Sequence, residues 1–250
     1  MARQFNFLDL TLHAKLTYIA HLVKGVTKQH HVWMKYLLSK FINNESIILD
    51  IGGHSGQYAK LFSRLAPQGK IYSFEPGSYP LSILKLSVFL NQLQNVVVVS
   101  EGLGAAPGKL SLVTPLKENG VFRFGLAYMG VKENYKFTEV EEVPVTTIDK
   151  FAIDFGLKSL DFIKIDVEGW EAQILRGGSK TIQRYRPTLL IELVASQLSR
   201  TGDDLEEIWA MLMSWDYKPY VVIDDHNLNF HPIPRDGDTF WVHESYLNPR

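Results

Sequence analysis

A glycine-rich segment running from Asp50 to Gly56 joins an apolar run to a helical pattern. Glycines at such a turn let the backbone approach a ligand closely, and the amides at the start of a helix face that ligand. The spacing fails the G-x-G-x-x-G pattern of dinucleotide folds, because His54 and Ser55 stand where glycines are required. The Asp50 carboxylate would also repel a pyrophosphate, whereas it suits a ligand with an ammonium and a sulfonium. The segment predicts a cofactor loop formed by Asp50, Gly52, Gly53, His54, Ser55 and Gly56.

A second acidic residue, Glu75, follows the next apolar run, 19 positions after Gly56 and just before Pro76. An acid about twenty residues beyond such a loop, at the end of the second strand, can accept hydrogen bonds from both ribose hydroxyls of a nucleoside cofactor. The loop pattern alone arises by chance, but together with Glu75 it predicts a nucleoside cofactor. The alternative is a glycine-rich turn with a surface glutamate.

The elements that must position these residues alternate between short β-branched runs and helical patterns. This alternation predicts βαβ units and a parallel sheet covered by helices on both faces. The predicted elements are Ile47–Ile51, Gly56–Leu65, Lys70–Phe74, Tyr79–Leu93, Asn95–Ser100, Leu160–Val167, Glu171–Arg184, Thr188–Leu193 and Asp203–Trp215. Two tail runs, Tyr220–Ile223 and Thr239–Val242, predict an antiparallel pair. We therefore expect an α/β fold whose doubly wound, mostly parallel, seven-stranded sheet ends in an antiparallel C-terminal edge hairpin.

The alternation breaks between Gly108 and Thr147, where short strand-like pieces are separated by polar turns. These pieces are Lys109–Thr114, Phe124–Met129 and Val140–Thr146. Ligands of open parallel sheets bind beyond the carboxyl ends of the strands, so an insertion here is where acceptor specificity would reside. We expect residues 46–250 to form one domain containing this insertion, about 108–147, and residues 1–45 to form an N-terminal helical cap.

The N-terminal segment repeats apolar residues at helical spacing from Asp9 to Phe41, which predicts two helices broken near Gly25. Residues 1–44 hold six basic side chains against the single acid Asp9. We interpret the segment as a cap whose apolar face packs on the main domain, because amphipathic helices usually face a core. Contact with a membrane surface or an anionic substrate is the alternative.

The composition narrows the chemistry further. The 250 residues include 26 Lys+Arg, 27 Asp+Glu and no cysteine. The lack of cysteine excludes disulfides, Cys-ligated metals and a thiol nucleophile, so catalysis must use carboxylates, histidines, hydroxyls or a cofactor. A net charge of -1 argues against nucleic acid as a partner. No apolar run is long enough to span a membrane and no secretory signal is evident, so we expect a cytoplasmic protein.

At these motifs the sequence resembles the FkbM family of class I S-adenosylmethionine-dependent methyltransferases. The resemblance covers roughly residues 46–194, and its most distinctive block is the apolar run that ends in Asp166-Val167-Glu168-Gly169. The other matching segments are Asp50 to Gly56, Phe74 to Pro76, Val99 to Gly108, Leu175 to Gly178 and Leu189 to Glu192. The chain departs from the family after Glu192 and Leu193, where Val194 stands in place of a frequent histidine.

The resemblance implies a Rossmann-like fold, S-adenosylmethionine as cofactor and methyl transfer to an oxygen, often on a sugar or other small metabolite. It also implies that the Asp50 to Gly56 loop holds the methionine part of the cofactor and that Glu75 holds the ribose. The turn around Glu101 and Gly102 then borders the adenine.

Methyl transfer requires the protein mainly to position the acceptor and to remove its proton. Asp166 and Glu192 end neighbouring strands, and Glu168 follows two residues after Asp166. His226 follows the strand-like run in the tail and could serve as a base. The candidate catalytic residues are therefore Asp166, Glu168, Glu192 and His226, although Glu168 could merely stabilise a helix N-terminus and His226 could lie in a solvated turn.

Two interpretations of Asp166 and Glu192 remain. They could hold a divalent cation such as magnesium or calcium, which lowers the pKa of an acceptor hydroxyl. Alternatively, Asp166 holds the cofactor ammonium while Glu192 or Glu168 acts as a base. We favour the metal-free interpretation, because no third carboxylate or carboxamide follows closely after Glu192.

The leading hypothesis is an S-adenosylmethionine-dependent O-methyltransferase acting on a small hydroxylated acceptor, with a sugar or glycosylated metabolite as one candidate. A non-catalytic module that only binds the cofactor is a second hypothesis. A nicotinamide-dependent oxidoreductase is a third, which the failed glycine spacing disfavours.

Overall fold

The computed structural model describes residues 5–118, 121–122, 126–129 and 136–247. The α-helices in these ranges are α1 (Leu12–Thr27), α2 (Lys35–Leu38), α3 (Gln57–Leu65), α4 (Ser78–Leu90), α5 (Ile148–Asp154), α6 (Glu171–Gly177), α7 (Ser179–Tyr185), α8 (Ala195–Leu198), α9 (Leu205–Ser214) and α10 (Glu244–Leu247). The strands are β1 (Ile47–Ile51), β2 (Lys70–Phe74), β3 (Val96–Val99), β4 (Gly102–Leu103), β5 (Gly108–Pro115), β6 (Tyr128–Met129), β7 (Thr138–Thr146), β8 (Phe162–Ile165), β9 (Thr188–Leu193), β10 (Tyr217–Val222), β11 (Leu228–Phe230) and β12 (Gly237–His243).

The larger sheet has the strand order β11-β10-β12-β9-β8-β1-β2-β3. Strands β9, β8, β1, β2 and β3 are parallel, whereas β12 runs antiparallel to both β9 and β10. Side chains from α2, α3 and α4 pack on one face, and side chains from α5, α6, α7 and α9 pack on the other. Burial on both faces explains why the central strands are so apolar. The predicted Rossmann-like, doubly wound, mostly parallel fold is confirmed.

The tail differs from the prediction in strand number and order. In the described residues the sheet has eight strands rather than seven, because the turn-rich stretch after β10 contains the short strand β11. The predicted antiparallel pair forms, as β10 and β12, but β12 lies inside the sheet and pairs with β9. The edge hairpin is therefore β10 with β11. The apolar pattern does not predict which tail strand pairs with β9, since Tyr220–Ile223 and Thr239–Val242 are both apolar runs.

The insertion forms a second sheet with the strand order β4-β7-β5-β6. The long pairing of β5 with β7 runs from Gly108 opposite Val145 to Pro115 opposite Thr138. Only Tyr128–Met129 of the predicted piece Phe124–Met129 forms a strand, and 124–125 lie outside the described residues. This sheet buries its own small apolar cluster, which contains Leu112, Met129, Val143 and Val145.

The N-terminal segment forms two helices, α1 and α2, as predicted, but it departs from the prediction at the break and in its packing. Helix α1 continues through Gly25, which is buried against Ile83 of α4 and the backbone of Ser55. The side of α1 that packs on α4 is formed by Ala14, Tyr18 and Gly25. The periodic apolar residues Leu12, Leu16, Ile19 and Val23 are exposed instead, so the expectation that they face the core is wrong. Among the described residues, none of the helices combines the length and the apolar character needed to cross a membrane.

Candidate active site

One cavity of about 320 Å³ opens at the carboxyl ends of β1, β2, β8 and β9. Its walls come from the loop after β1, the residues after β2 and β8, the end of β9 and the second sheet. The predicted site residues that line it are Gly52, Gly53, His54, Ser55, Glu75, Pro76, Glu101, Gly102, Asp166, Glu168 and Glu192. Three predicted residues, Asp50, Gly56 and His226, do not line it.

The loop after β1 is held tightly between two strand ends. The amides of Gly52 and Gly53 both donate to the carbonyl of Phe74, at 3.1 and 2.8 Å. Gly52 has a φ of +78°, and a Cβ there would lie 1.9 Å from the carbonyl oxygen of Asp166. A Cβ on Gly53 would lie 2.2 Å from the Ser73 hydroxyl. Both positions therefore require glycine, which keeps the loop backbone at the cavity wall.

Glu75, which follows the end of β2, fixes this loop by a hydrogen bond. Its Oε2 accepts a hydrogen bond from the His54 amide at 2.8 Å, and its Oε1 accepts one from the Gly77 amide at 3.0 Å. Burial raises the pKa of Glu75 to about 7, although these two amide donors oppose the rise. The carboxyl group thus faces the cavity with each oxygen already anchored to one backbone amide.

The sequence interpretation gave no role to Lys164, a buried cation in the middle of β8. Its Nζ donates to the carbonyls of Gly52 and Ile51, at 2.9 and 3.3 Å, and lies 3.4 Å from Oδ2 of Asp166. Burial alone would lower the pKa of Lys164, but the carboxylates of Asp166 and Asp50 raise it above its ordinary value. The signal in the sequence was a lysine inside the otherwise apolar run Phe162–Ile165, since lysine is buried only where it is paired.

Asp50 occupies a different place from the one predicted. It is fully buried in β1, between β2 and β8, and its Oδ2 accepts a hydrogen bond from the Ser73 hydroxyl at 2.7 Å. Burial raises the pKa of Asp50, while the charge of Lys164 opposes that rise. Asp50 is thus a partner of Lys164 behind the loop rather than part of the cavity wall.

The acidic end of the cavity contains a hydrogen-bonded pair of carboxyl groups, Asp166 and Glu192. Burial and the adjacent Asp166 charge raise the pKa of Glu192 to about 8. Burial acts in the same direction on Asp166, but Lys164 and the hydrogen bond from Glu192 bring the pKa of Asp166 below its usual value. The pair therefore shares one proton near neutral pH, and the raised pKa belongs to Glu192.

Two further acidic residues, Glu168 and Asp238, lie near this pair and interact with Asp166. Glu168 has a φ of 57°, and its Oε2 accepts a hydrogen bond from the Gln197 amide nitrogen at 2.6 Å. Burial and the charge of Asp166 raise the pKa of Glu168 to about 7. Asp238 stands opposite Glu192 in the pairing of β12 with β9, and burial followed by Asp166 raises its pKa as well. The sequence interpretation missed Asp238, because only the sheet order brings it here.

The other end of the cavity is apolar and comes largely from the second sheet. Leu112 and Met129 project from β5 and β6, and Leu103 lies on β4. Glu101 and Gly102 border the same end, where a Cβ on Gly102 would lie 2.8 Å from the terminal carbon of Met129. This apolar end can accommodate a flat ring without polar partners.

Aromatic and histidine side chains border the cavity between its two ends. His31 stacks on Tyr58 with ring centroids 4.2 Å apart, and Lys164 lies 5.2 Å from the centre of the Tyr58 ring. Burial and the nearby Lys164 charge lower the pKa of His54 to about 4, so its side chain is neutral near pH 7. Neither His31 nor Tyr58 was a predicted site residue.

His226 does not line the cavity, so the structure does not bring this candidate base together with the other site residues. Its exposed ring stacks on Tyr36 at 4.3 Å, and its Nδ1 lies 2.9 Å from an oxygen of Asp225. Asp224 accepts hydrogen bonds from the amides of His226 and Asn227, as expected for a turn closed by an aspartate side chain.

A doubly wound sheet with a glycine loop, an acid after β2 and carboxyl groups at the ends of β8 and β9 defines a Rossmann-like methyltransferase. The methyltransferase FkbM domain matches residues 50–219, and the chain belongs to this family. The matched range includes every residue named above that lines the cavity except His31.

Two curated relatives are methyltransferases. The 2-O-methyltransferase NoeI of Sinorhizobium fredii is 23% identical over 160 residues, which cover 61% of this chain and 65% of the relative. The methyltransferase sdnD of Sordaria araneosa is 28% identical over 156 residues, which cover 52% of this chain and 59% of the relative. The chain thus matches somewhat less than two thirds of the length of each relative.

A solved structure supports the fold. The methyltransferase FkbM of Methylobacillus flagellatus superposes with a TM-score of 0.53 and 16% sequence identity. The superposition covers 94% of this chain and 56% of that chain. At this identity the likeness concerns the fold alone.

Proposed function

We propose that this protein is an S-adenosylmethionine-dependent O-methyltransferase that transfers a methyl group to a hydroxyl of a small, polyhydroxylated acceptor such as a sugar or glycosylated metabolite. The observation that carries the proposal is that Glu75 and the glycine loop share one cavity with Glu192. The relative NoeI, a 2-O-methyltransferase by name, supports oxygen as the methylated atom.

The residues of the cavity fit the proposed cofactor. The backbone of Gly52 to Ser55 and the carboxylate of Asp166 would hold the methionine part, with its ammonium facing Asp166. Glu75 would accept hydrogen bonds from the ribose hydroxyls, and the apolar end formed by Leu103 and Met129 would contact the adenine. The glycine-restricted loop supports this assignment, because any side chain at Gly52 or Gly53 would push the backbone out of place.

When bound, S-adenosylmethionine supplies a methyl group on a positively charged sulfur, which leaves as a neutral thioether. The protein then has to orient the acceptor hydroxyl and take its proton. We assign proton removal to Glu192, which accepts the hydroxyl proton on its carboxylate after losing its own proton to solvent. A pKa near 8 makes Glu192 a stronger base than an ordinary carboxylate.

Lys164 has two tasks in this proposal. It fixes the carbonyls of Ile51 and Gly52, and thereby the loop. It also keeps Asp166 ionised, and the Asp166 charge is one of the two main causes of the raised pKa of Glu192. Its ammonium, 3.4 Å from Asp166, would repel the double charge of a divalent cation at this carboxylate more strongly than the single charge of the cofactor ammonium, which favours metal-free catalysis.

Calorimetry with S-adenosylhomocysteine tests the cofactor assignment directly. We expect the wild-type protein to bind it and the Glu75→Gln variant to bind it more weakly. Binding of NADH with no binding of S-adenosylhomocysteine would overturn the proposal in favour of an oxidoreductase.

Transfer of a radiolabelled methyl group, screened over sugars, glycosides and other hydroxylated metabolites, tests the reaction. Labelled product that requires Glu192 supports an active enzyme. Cofactor binding without transfer to any class of acceptor would instead indicate the non-catalytic binding module.

A further inference from the structure

Helix α1 presents a stripe of large apolar side chains to solvent. Leu8, in the turn before the helix, is 75% exposed, and Leu12, Leu16, Ile19 and Val23 are 76%, 60%, 47% and 53% exposed. Within α1, the spacing of three or four residues places Leu12, Leu16, Ile19 and Val23 along one side of the helix. We define these five residues as the α1 stripe. Contiguous apolar surface of this kind marks an interaction site, whereas isolated exposed side chains do not.

The other side of α1 makes specific contacts with the domain, so the exposed α1 stripe does not result from loose packing of the helix. Tyr18 packs against Tyr79 of α4, and its hydroxyl pairs with that of Ser82 at 2.9 Å. The buried Lys60 of α3 donates hydrogen bonds to the carbonyls of Gly25 and Lys28 at the end of α1. The helix is therefore fixed to the domain while the α1 stripe stays outside.

The charge around the stripe is predominantly positive, although the exposed Asp9 lies next to Leu8. Helices α1, α2 and α4 contain no acidic residue, and they carry Lys15, Lys24, Lys35 and Lys85. Lys28 and Lys40 lie just beyond α1 and α2. Helix α4, which packs beside α1, also exposes Phe89 and Leu90, at 75% and 53%. The net charge of the chain is -1, so this positive region is balanced by acids elsewhere.

We infer that the α1 stripe and its lysines dock the protein on the surface of an anionic lipid membrane. A helix with an apolar side and nearby lysines, fixed parallel to a protein surface, inserts its apolar side chains at the level of the headgroups. The lysines add attraction to anionic lipids. A second copy of the chain fits less well, because a symmetric contact through this face would bring lysines against lysines.

Co-sedimentation with vesicles tests the docking. We expect the full chain to pellet with vesicles of phosphatidylcholine and phosphatidylglycerol, to pellet weakly with phosphatidylcholine alone, and to be released by high salt. The double variant Leu16→Gln with Ile19→Gln should bind at least about tenfold more weakly, because each side chain loses its apolar transfer energy. These positions are exposed, so the substitutions leave the core unchanged.

Ile153→Gln provides the matched control. Ile153 is 79% exposed on α5, which packs on the opposite face of the sheet, and this variant should bind vesicles as the wild type does. Calorimetry with S-adenosylhomocysteine on the same variants separates this inference from the proposed function, because the double variant should bind that ligand normally.

Two outcomes would overturn the inference. The first is equal pelleting of the wild type and the Leu16→Gln with Ile19→Gln variant. The second is a wild-type dimer, detected by light scattering, that becomes monomeric in the same double variant and does not pellet with vesicles.

Discussion

The ammonium of Lys164 lies 3.4 Å from a carboxylate oxygen of Asp166, so one buried cation joins the glycine loop to the acidic end of the cavity. The same ammonium binds the carbonyl of Gly52 at 2.9 Å. The position of the loop and the charge of the carboxyl pair therefore depend on a single side chain. The proposed cofactor site and the proposed base cannot be altered independently at this residue.

Replacing Lys164 with Met is expected to destabilise the protein by about 3 kcal/mol, because it leaves Asp50 and Asp166 without their cation in a buried site. Urea unfolding measures the change. Adding Asp50→Asn to the Lys164→Met variant should restore part of the loss. The surface substitution Lys150→Met, which breaks the exposed pair with Asp154, should change the unfolding free energy little. Equal effects of the two lysine substitutions would contradict the assigned role of Lys164.

The Glu75→Gln variant is expected to bind S-adenosylhomocysteine more weakly by about 1–3 kcal/mol, the cost of losing a charged hydrogen-bond partner. Isothermal calorimetry at a pH above 7 gives the dissociation constant with Glu75 largely ionised in the wild type. Glu142→Gln, at an exposed glutamate paired with Lys109, serves as the control and should bind normally. An unchanged dissociation constant in Glu75→Gln would show that Glu75 does not hold the ribose.

The rate of methyl transfer is expected to rise with pH through about 8. Glu192 has a raised pKa, so its carboxylate, the basic form, is depleted as the pH falls below that value. The Glu192→Gln variant should lose this rise and be slower by roughly 10²–10⁴-fold. Glu168→Gln should keep an inflection near 8. A pH profile of kcat/KM for each variant shows which residue is the base. If the inflection persists in Glu192→Gln, a residue other than Glu192 takes the proton.

Glu171 gives a prediction about stability. Its side chain is buried and Oε1 accepts hydrogen bonds from the amides of Val167 and Gly169, yet burial raises its pKa from 4.5 to about 7. The protonated form of Glu171 is therefore favoured in the folded state. Its contribution to the free energy of unfolding is fully present below pH 4.5 and is lost as the pH rises to about 7. The loss is on the order of 3 kcal/mol.

Glu171→Gln cannot ionise, so its unfolding free energy should fall less between pH 5 and 8 than that of the wild type. Urea unfolding at several pH values measures the difference in slope. Glu206→Gln, at an exposed position on α9, should follow the wild-type slope. Parallel curves for wild type and Glu171→Gln would refute the prediction.

Much of the site was predictable because its signals are local in the sequence. The glycines of the loop are dictated by backbone contacts at Gly52 and Gly53, and an acid at the end of β2 follows from the spacing of one βα unit. The apolar runs also predicted the parallel centre of the sheet, because burial on both faces leaves a continuous apolar pattern.

The remainder depends on contacts between distant parts of the chain. Asp238 joins the acidic group only because β12 enters the sheet beside β9. Asp50 interacts with Ser73 and Lys164. These partners lie on the neighbouring strands β2 and β8, so the loop motif alone does not indicate them. The side of α1 that packs on α4 is formed by Ala14, Tyr18 and Gly25, since the aromatic cluster around Tyr79 outweighs the periodic leucines.

The internal position of β12 also constrains the order in which the sheet can be completed. Strand β10 precedes β12 in the chain, but in the described sheet β12 separates it from the parallel strands. A chain truncated after Val222 would therefore leave the hydrogen-bonding edge of β9 open and β10 without a place to dock. We expect such a fragment to aggregate through that edge. We expect the nascent domain to remain in this unprotected state until residues 237–243 have left the ribosome.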